Sequence, residues 1–326
     1  MIRSEFFVSS SADHGAQIHV RSVTPAIMTA ATPIVMCLHG AAMHNIIFDV
    51  PIETDYPTFL EYLAHNGYAA YAISYRGYGA SSKPVPFHDH PLPSRCLMRY
   101  DEACQDVIDV INHVQHLFPA SKINICGLSW GSVIAGAFIN QFPNLINKLV
   151  LFGPVYSYPN PAWAALLNPE NTQEINPALG SYRILTKDQI TAVWDAEISV
   201  SDKTLWRNPV ALDAIIKEML DSDRTWAAQQ PDPEVLRLCT GVLQDIVEVY
   251  NQRPLYQAAS ILCPTLILRG AYDSLSPAAD AEGLLRELGA EDKKMITFGN
   301  ATHYALAERR AKLLWQEVIT FFNSHS

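Results

Sequence analysis

Ile125-Cys126-Gly127-Leu128-Ser129-Trp130-Gly131 is the stretch on which the reading of this chain turns. It joins a short strand-like run, Lys122–Cys126, to a segment with helical spacing, Ser129–Phe142. A serine with glycines two residues before and two after suits a sharp strand-to-helix turn. The backbone there is strained, and its neighbours approach closely enough that a Cβ would clash. The helix that follows would aim its first N–H groups and its positive dipole end at negative charge forming near Ser129. Five letters occur by chance as a Gly-flanked turn, so the surroundings carry the weight.

Upstream, Glu5–Val8 and Gln17–Val23 read as strands separated by the turn-prone Ser11-Ala-Asp-His-Gly15. Pro33–Leu38 is a continuous apolar run, the pattern of a strand buried on both faces. Helical spacing around Tyr56–His65 leads to a strand at Tyr68–Ser74. From Leu97 to Phe118, Val107, Ile108, Ile111, Val114 and Leu117 make one buried stripe of a helix. After the Ser129 helix, Lys148–Phe152 is the next strand. This alternation predicts an α/β fold with a mostly parallel sheet covered by helices on both faces.

The alternation stops between about Pro154 and Pro254, where Pro, Asn and aromatic residues are frequent and helical pieces fall near Lys187–Ser199, Val210–Leu220 and Pro233–Tyr250. It resumes with strand Thr265–Arg269, helix Pro277–Leu288, strand Lys293–Phe298 and helix Tyr304–Phe322. The final quarter has too few strands for a sheet of its own. We therefore expect one core, 1–153 and 256–326, interrupted by a helical insertion, 154–255.

A nucleophilic serine needs a base and a group to orient it. Of eleven histidines, His303 follows the strand Lys293–Phe298 and so stands at a strand's C-terminal end, where α/β sheets assemble their sites. Asp273 stands just beyond the strand Thr265–Arg269. Alone, each would pass for an ordinary loop residue; the order Ser, Asp, His gives them weight. The loop Leu38-His39-Gly40-Ala41-Ala42-Met43, with its glycine and small residues, allows a backbone N–H to face a reacting carbonyl alongside the N–H of Trp130. Arg76-Gly77-Tyr78-Gly79-Ala80-Ser81 reads as a turn-shaping loop.

On these motifs, in this order, the chain resembles the α/β-hydrolase superfamily over nearly its whole length. The resemblance implies an eight-stranded sheet with a cap inserted after the sixth strand. It also implies a serine esterase or lipase with Ser129, Asp273 and His303 as triad and Ala41 and Trp130 as oxyanion donors. Sequence leaves open which of Ala41 and Ala42 turns its N–H inward; Ala42 and His44 are candidate substrate contacts. The His-Gly-Ala-Ala loop is neither the HGGG of one lipase branch nor the Gly-Pro-Gly of many carbon–carbon hydrolases, and Ser rather than Asp at 129 argues against epoxide hydrolases and dehalogenases. Ester, thioester and lactone fit the same machinery. Carbon–carbon cleavage, an acyltransferase or cyclase reaction, and a non-catalytic binding protein are the alternatives.

The net charge of −10 argues against nucleic acid and anionic membrane as partners, and the hydrolase motifs imply a small ester-like molecule instead. The N-terminus carries no long apolar run, and six cysteines without CxxC spacing read as reduced thiols, so a cytoplasmic protein is expected. The mechanism calls for no cofactor and no metal; His88-Asp89-His90 lacks a third spaced ligand, and His113 and His116 read as a wet helix face. The insertion holds Tyr156, Tyr158, Trp163, Tyr182, Trp194, Trp206, Trp226 and Tyr250, which either line an apolar or aromatic substrate site or pack the insertion's own core. Oligomeric state cannot be read from this chain.

Overall fold

The computed structural model describes residues 1–88 and 96–324, so Asp89 and His90 lie outside the described residues. The strands are β1 (Ile2–Ser9), β2 (Gln17–Thr24), β3 (Ile34–Leu38), β4 (Ala69–Ser74), β5 (Ile123–Leu128), β6 (Ile146–Phe152), β7 (Tyr182–Thr186), β8 (Val235–Cys239), β9 (Thr265–Gly270) and β10 (Lys293–Phe298). The helices are α1 (Phe59–His65), α2 (Tyr100–Leu117), α3 (Trp130–Gln141), α4 (Pro161–Leu167), α5 (Lys187–Glu197), α6 (Pro209–Asp221), α7 (Arg224–Ala227), α8 (Gly241–Tyr250), α9 (Ala278–Glu287) and α10 (Ala311–Asn323).

Eight strands form one sheet in the order β1-β2-β4-β3-β5-β6-β9-β10. Only β2 runs against its neighbours; the other pairs are parallel. Every residue of β3, β4, β5 and β9 is buried, which explains their largely apolar runs: with both faces covered there is no polar alternation, and the few polar residues, such as Asn124 and Arg269, donate to buried backbone carbonyls. The helices that cover the sheet pair as α2 with α3 and α1 with α10. This is the α/β-hydrolase fold. The C-terminal ends of β3, β5, β6, β9 and β10 gather at one edge, and that edge carries every motif singled out above. No helix among the described residues is long and apolar enough to cross a membrane.

Two expectations need correction. The insertion is not purely helical, because β7 and β8 pair as an antiparallel ribbon, Tyr182 opposite Cys239 and Thr186 opposite Val235. Val235–Cys239 is buried at all five positions, so it offers no period to distinguish it from the helix α8 that begins two residues later. Arg237 in its middle is tolerated because Asp223 receives its guanidinium and Trp226 lies 4.5 Å beneath it. The last helix also starts later than its apolar spacing suggests, at Ala311 instead of Tyr304. Glu308, fully buried, accepts from Thr302 N at 3.1 Å, Thr302 Oγ1 at 2.6 Å and Trp194 Nε1 at 2.9 Å, which folds the intervening residues back onto the His303 loop.

Candidate active site

Ser129 sits between β5 and α3 with φ 54° and ψ −120°. A non-glycine residue held there costs on the order of 1–3 kcal/mol, so the surroundings must impose it. They do: its N–H donates to Phe152 O at 2.9 Å, and its carbonyl accepts from Ser132 N at 2.8 Å and from the Ser132 hydroxyl. A Cβ on Gly131 would lie 2.2 Å from Leu38 O, and one on Gly127 2.7 Å from Gly131 O. Both atoms are backbone and cannot swing aside. Gly131→Ala is therefore expected to cost about 2–3 kcal/mol, read as a Tm lowered by several degrees; an unchanged melt would count against this packing.

Opposite the serine, the loop after β3 is shaped by His39. Its Nδ1–H donates to Gly40 O at 2.8 Å and its Nε2 accepts from Tyr75 N. Burial holds this imidazole neutral, with its pKa pulled down to about 3. Gly40 lies so close to the elbow that a Cβ would stand 3.0 Å from Ser129 Cβ. Among the described residues, neither the Ala41 nor the Trp130 N–H donates to a backbone carbonyl.

Asp273 and His303 meet as their places in the sequence suggest. His303 Nδ1–H donates to Asp273 Oδ1 at 2.9 Å, and the same oxygen accepts from Ser276 N at 2.7 Å and Leu275 N at 3.1 Å. The Nδ1 bond fixes the tautomer, leaving Nε2 as the basic nitrogen. Burial alone would lower the His303 pKa, but the charge and hydrogen bond of Asp273, with Glu197 assisting, carry it above 6.5. Ser129 and His303 border one cavity of about 50 Å³, room for a few waters. Gly40, Ala41, Ala42, Met43, Leu128, Leu275 and Tyr304 complete its walls. A larger groove beside Arg76 shares no residue with it.

A family model described as "Serine aminopeptidase, S33" matches residues 29–310. The chain belongs to the serine aminopeptidase S33 family. A curated relative, a monoacylglycerol lipase of Mycolicibacterium smegmatis, is 23% identical and covers 88% of this chain and 95% of its own length. Among solved structures, an esterase from Exiguobacterium antarcticum matches with TM-score 0.62 at 16% identity, covering 98% of this chain and 99% of its own. An enol-lactonase from Burkholderia xenovorans matches with TM-score 0.64 at 16% identity, covering 98% and 100%.

In this S33-family chain, the candidate residues do not all meet. Ser129, His303, Ala41 and Ala42 share the cavity; Asp273 stands behind His303. His44 does not join that lining. Its Nδ1 accepts from Ile46 N, its ring packs near Gly79, and its pKa is pulled down to about 3 by burial. The insertion's aromatics mostly pack: Trp194 stacks on Tyr304 at 4.9 Å, Trp226 and Tyr182 enclose Arg237, and Tyr156 meets Tyr256.

Two residues that matter to this S33-family site escape sequence reasoning. Gly153, at the end of β6, has φ 48°, and a Cβ there would fall 2.7 Å from Asp273 Oδ2 and 3.1 Å from His303 Nδ1. Glu197, the last residue of α5, accepts at Oε1 from Ser274 N (2.8 Å) and at Oε2 from His303 N (2.8 Å), joining the Asp273 loop to the His303 loop. No motif marks a glutamate more than 70 residues upstream of its partners; only a tertiary contact finds it. Glu197→Gln replaces one acceptor with a donor against the His303 N–H. It should cost about 2 kcal/mol of stability and lower the pH at which kcat/KM half-rises. A variant with wild-type melt and pH profile would show the bridge to be inert.

Proposed function

We propose that this chain is a serine hydrolase of carboxylic esters, with the inserted segment 154–255 acting as a cap over the site. The observation that carries the reading is the Asp273–His303 hydrogen bond, which leaves Nε2 basic beside the cavity that Ser129 enters from its strained elbow. In this reading Nε2 takes the Ser129 proton as Oγ attacks the ester carbonyl. The imidazolium then protonates the departing alcohol, and Asp273 steadies it throughout. Water, deprotonated by the same nitrogen, next attacks the acyl-enzyme, releasing the acid and restoring Ser129. The N–H groups of Ala41 and Trp130 serve the oxyanion in both halves. Small side chains at Ala41 and Ala42 and apolar ones at Met43, Leu128 and Leu275 favour a small to medium acyl group with an apolar contact surface.

The named activities of the lipase, esterase and lactonase relatives support an oxygen-ester or lactone bond. The test is turnover of p-nitrophenyl esters of increasing acyl length, together with fluorophosphonate labelling read by peptide mass spectrometry. Turnover with the label on Ser129 is expected. A label elsewhere, or turnover untouched by full labelling, would overturn the assignment.

A further inference from the structure

The guanidiniums of the inserted segment and its contacts are, with one exception, paired. Arg237 binds Asp223, Arg99 binds Asp245, Arg207 binds Asp195 and Arg253 binds Glu248. Arg183, in the middle of β7, is different. Among the described residues it has no hydrogen bond, no ion pair and no aromatic ring beneath it, and its Nε is fully buried without a partner. Arg183 is half-buried, and it shares its face of the ribbon with Leu185, Leu236 and Leu238, all buried. The buried Nε therefore faces the interior, under a ribbon that lies over the Tyr78 loop: Cys239, paired with Tyr182, comes so close to Gly77 that a Cβ there would stand 2.4 Å from its Sγ. Tyr304 is a wall of the Ser129 cavity, and Tyr78 donates through its hydroxyl to the carbonyl of Ala41, another wall.

An inward-facing cation without a counter-charge is costly, because desolvation is uncompensated. Burial accordingly pulls the Arg183 pKa below its ordinary value, against the opposing influence of the two tyrosines. Guanidinium stays protonated at neutral pH even so, and its planar fork matches a carboxylate. Ligand charge is the compensation missing from the free protein.

We propose that Arg183 is an anion-binding subsite that receives a carboxylate carried by the substrate, so that the preferred esters are anionic rather than neutral. This rests on the esterase reading above and narrows its substrate class. The apolar walls around Ala41, Ala42 and Leu275 are left to the uncharged remainder of the substrate.

Two matched pairs of esters test it. Mono-p-nitrophenyl glutarate against p-nitrophenyl valerate puts the charge on the acyl side. 4-Acetoxybenzoate against its methyl ester puts it on the leaving side. In at least one pair, kcat/KM should favour the anionic member by about 10- to 100-fold, the range of a charge-assisted hydrogen bond, and Arg183→Gln should abolish that preference. Because the variant removes an uncompensated charge, it should melt no lower than wild type, whereas a purely structural arginine would lower the melt on removal. Neutral esters preferred or equal in both pairs, or a ratio unchanged by Arg183→Gln, would overturn the subsite while leaving the esterase reading intact. Should no ester turn over, glutarate binding decides: thermal stabilisation of wild type that Arg183→Gln loses sustains the subsite, and no stabilisation sinks it.

Discussion

Ser129→Ala is expected to remove ester turnover down to the background left by binding and oxyanion stabilisation, a loss on the order of 10⁶ in kcat. The size follows from the unit nature of the three side chains: without Oγ, the basic Nε2 of His303 has no proton to take and the oxyanion donors have no tetrahedral oxygen to hold. The fold should barely register the change. Among the described residues Ser129 Oγ makes no hydrogen bond, whereas the backbone contacts that impose φ 54°, from Ser129 N to Phe152 O and from Ser132 N to Ser129 O, survive in alanine. A thermal melt within a degree or two of wild type, with turnover gone, is the expected pair of results. Retained turnover would remove the acyl-enzyme mechanism altogether.

Asp273→Asn should lower kcat by about 10⁴ and shift the pH profile in a definite direction. Among the described residues, the three donors to the Asp273 carboxylate, namely His303 Nδ1, Leu275 N and Ser276 N, converge on Oδ1, while Oδ2 is buried without a partner. An asparagine that keeps its oxygen in the Oδ1 position preserves these bonds, removes the charge and puts an NH2 group in the buried place of Oδ2. In the wild type, burial lowers the His303 pKa but Asp273 and Glu197 bring it above 6.5. The base must be neutral, so wild-type kcat/KM should climb with pH through a midpoint above 6.5. With the Asp273 charge gone, the desolvation contribution prevails, and the midpoint should fall below that of wild type. Comparing kcat/KM across pH 5 to 9 for both proteins checks the sign. A midpoint that stays or rises would mean that Asp273 does not govern the charge of His303.

The candidate site was legible in the sequence because its residues sit at the ends of strands. Apolar runs such as Ile34–Leu38 and Ile123–Leu128 announce buried parallel strands, and chain order alone then brings Ser129, Asp273 and His303 to the same sheet edge. The Gly127 and Gly131 spacing was equally readable, since close approach at the elbow is a local requirement. The β8 strand was not. Its five buried residues have no alternation, and a run that short cannot declare its period. Nor was the late start of α10, because the burial of Glu308 against Trp194 and Thr302 overrides the helical preference of the residues around it.

What sequence determined by itself is therefore the doubly covered sheet, the elbow and the order of the three candidate catalytic residues, all set by local periodicity and by short loops at strand ends. What only the tertiary structure decided is how the inserted segment acts on that site. Glu197 reaches both the Asp273 and the His303 loops, Gly153 leaves room for their hydrogen bond, His44 turns away from the cavity, and the Nε of Arg183 is buried without a partner among the described residues. These depend on which surfaces meet across tens to more than a hundred residues of intervening chain, or across a ribbon whose two faces look alike in sequence, and no local pattern encodes such a meeting.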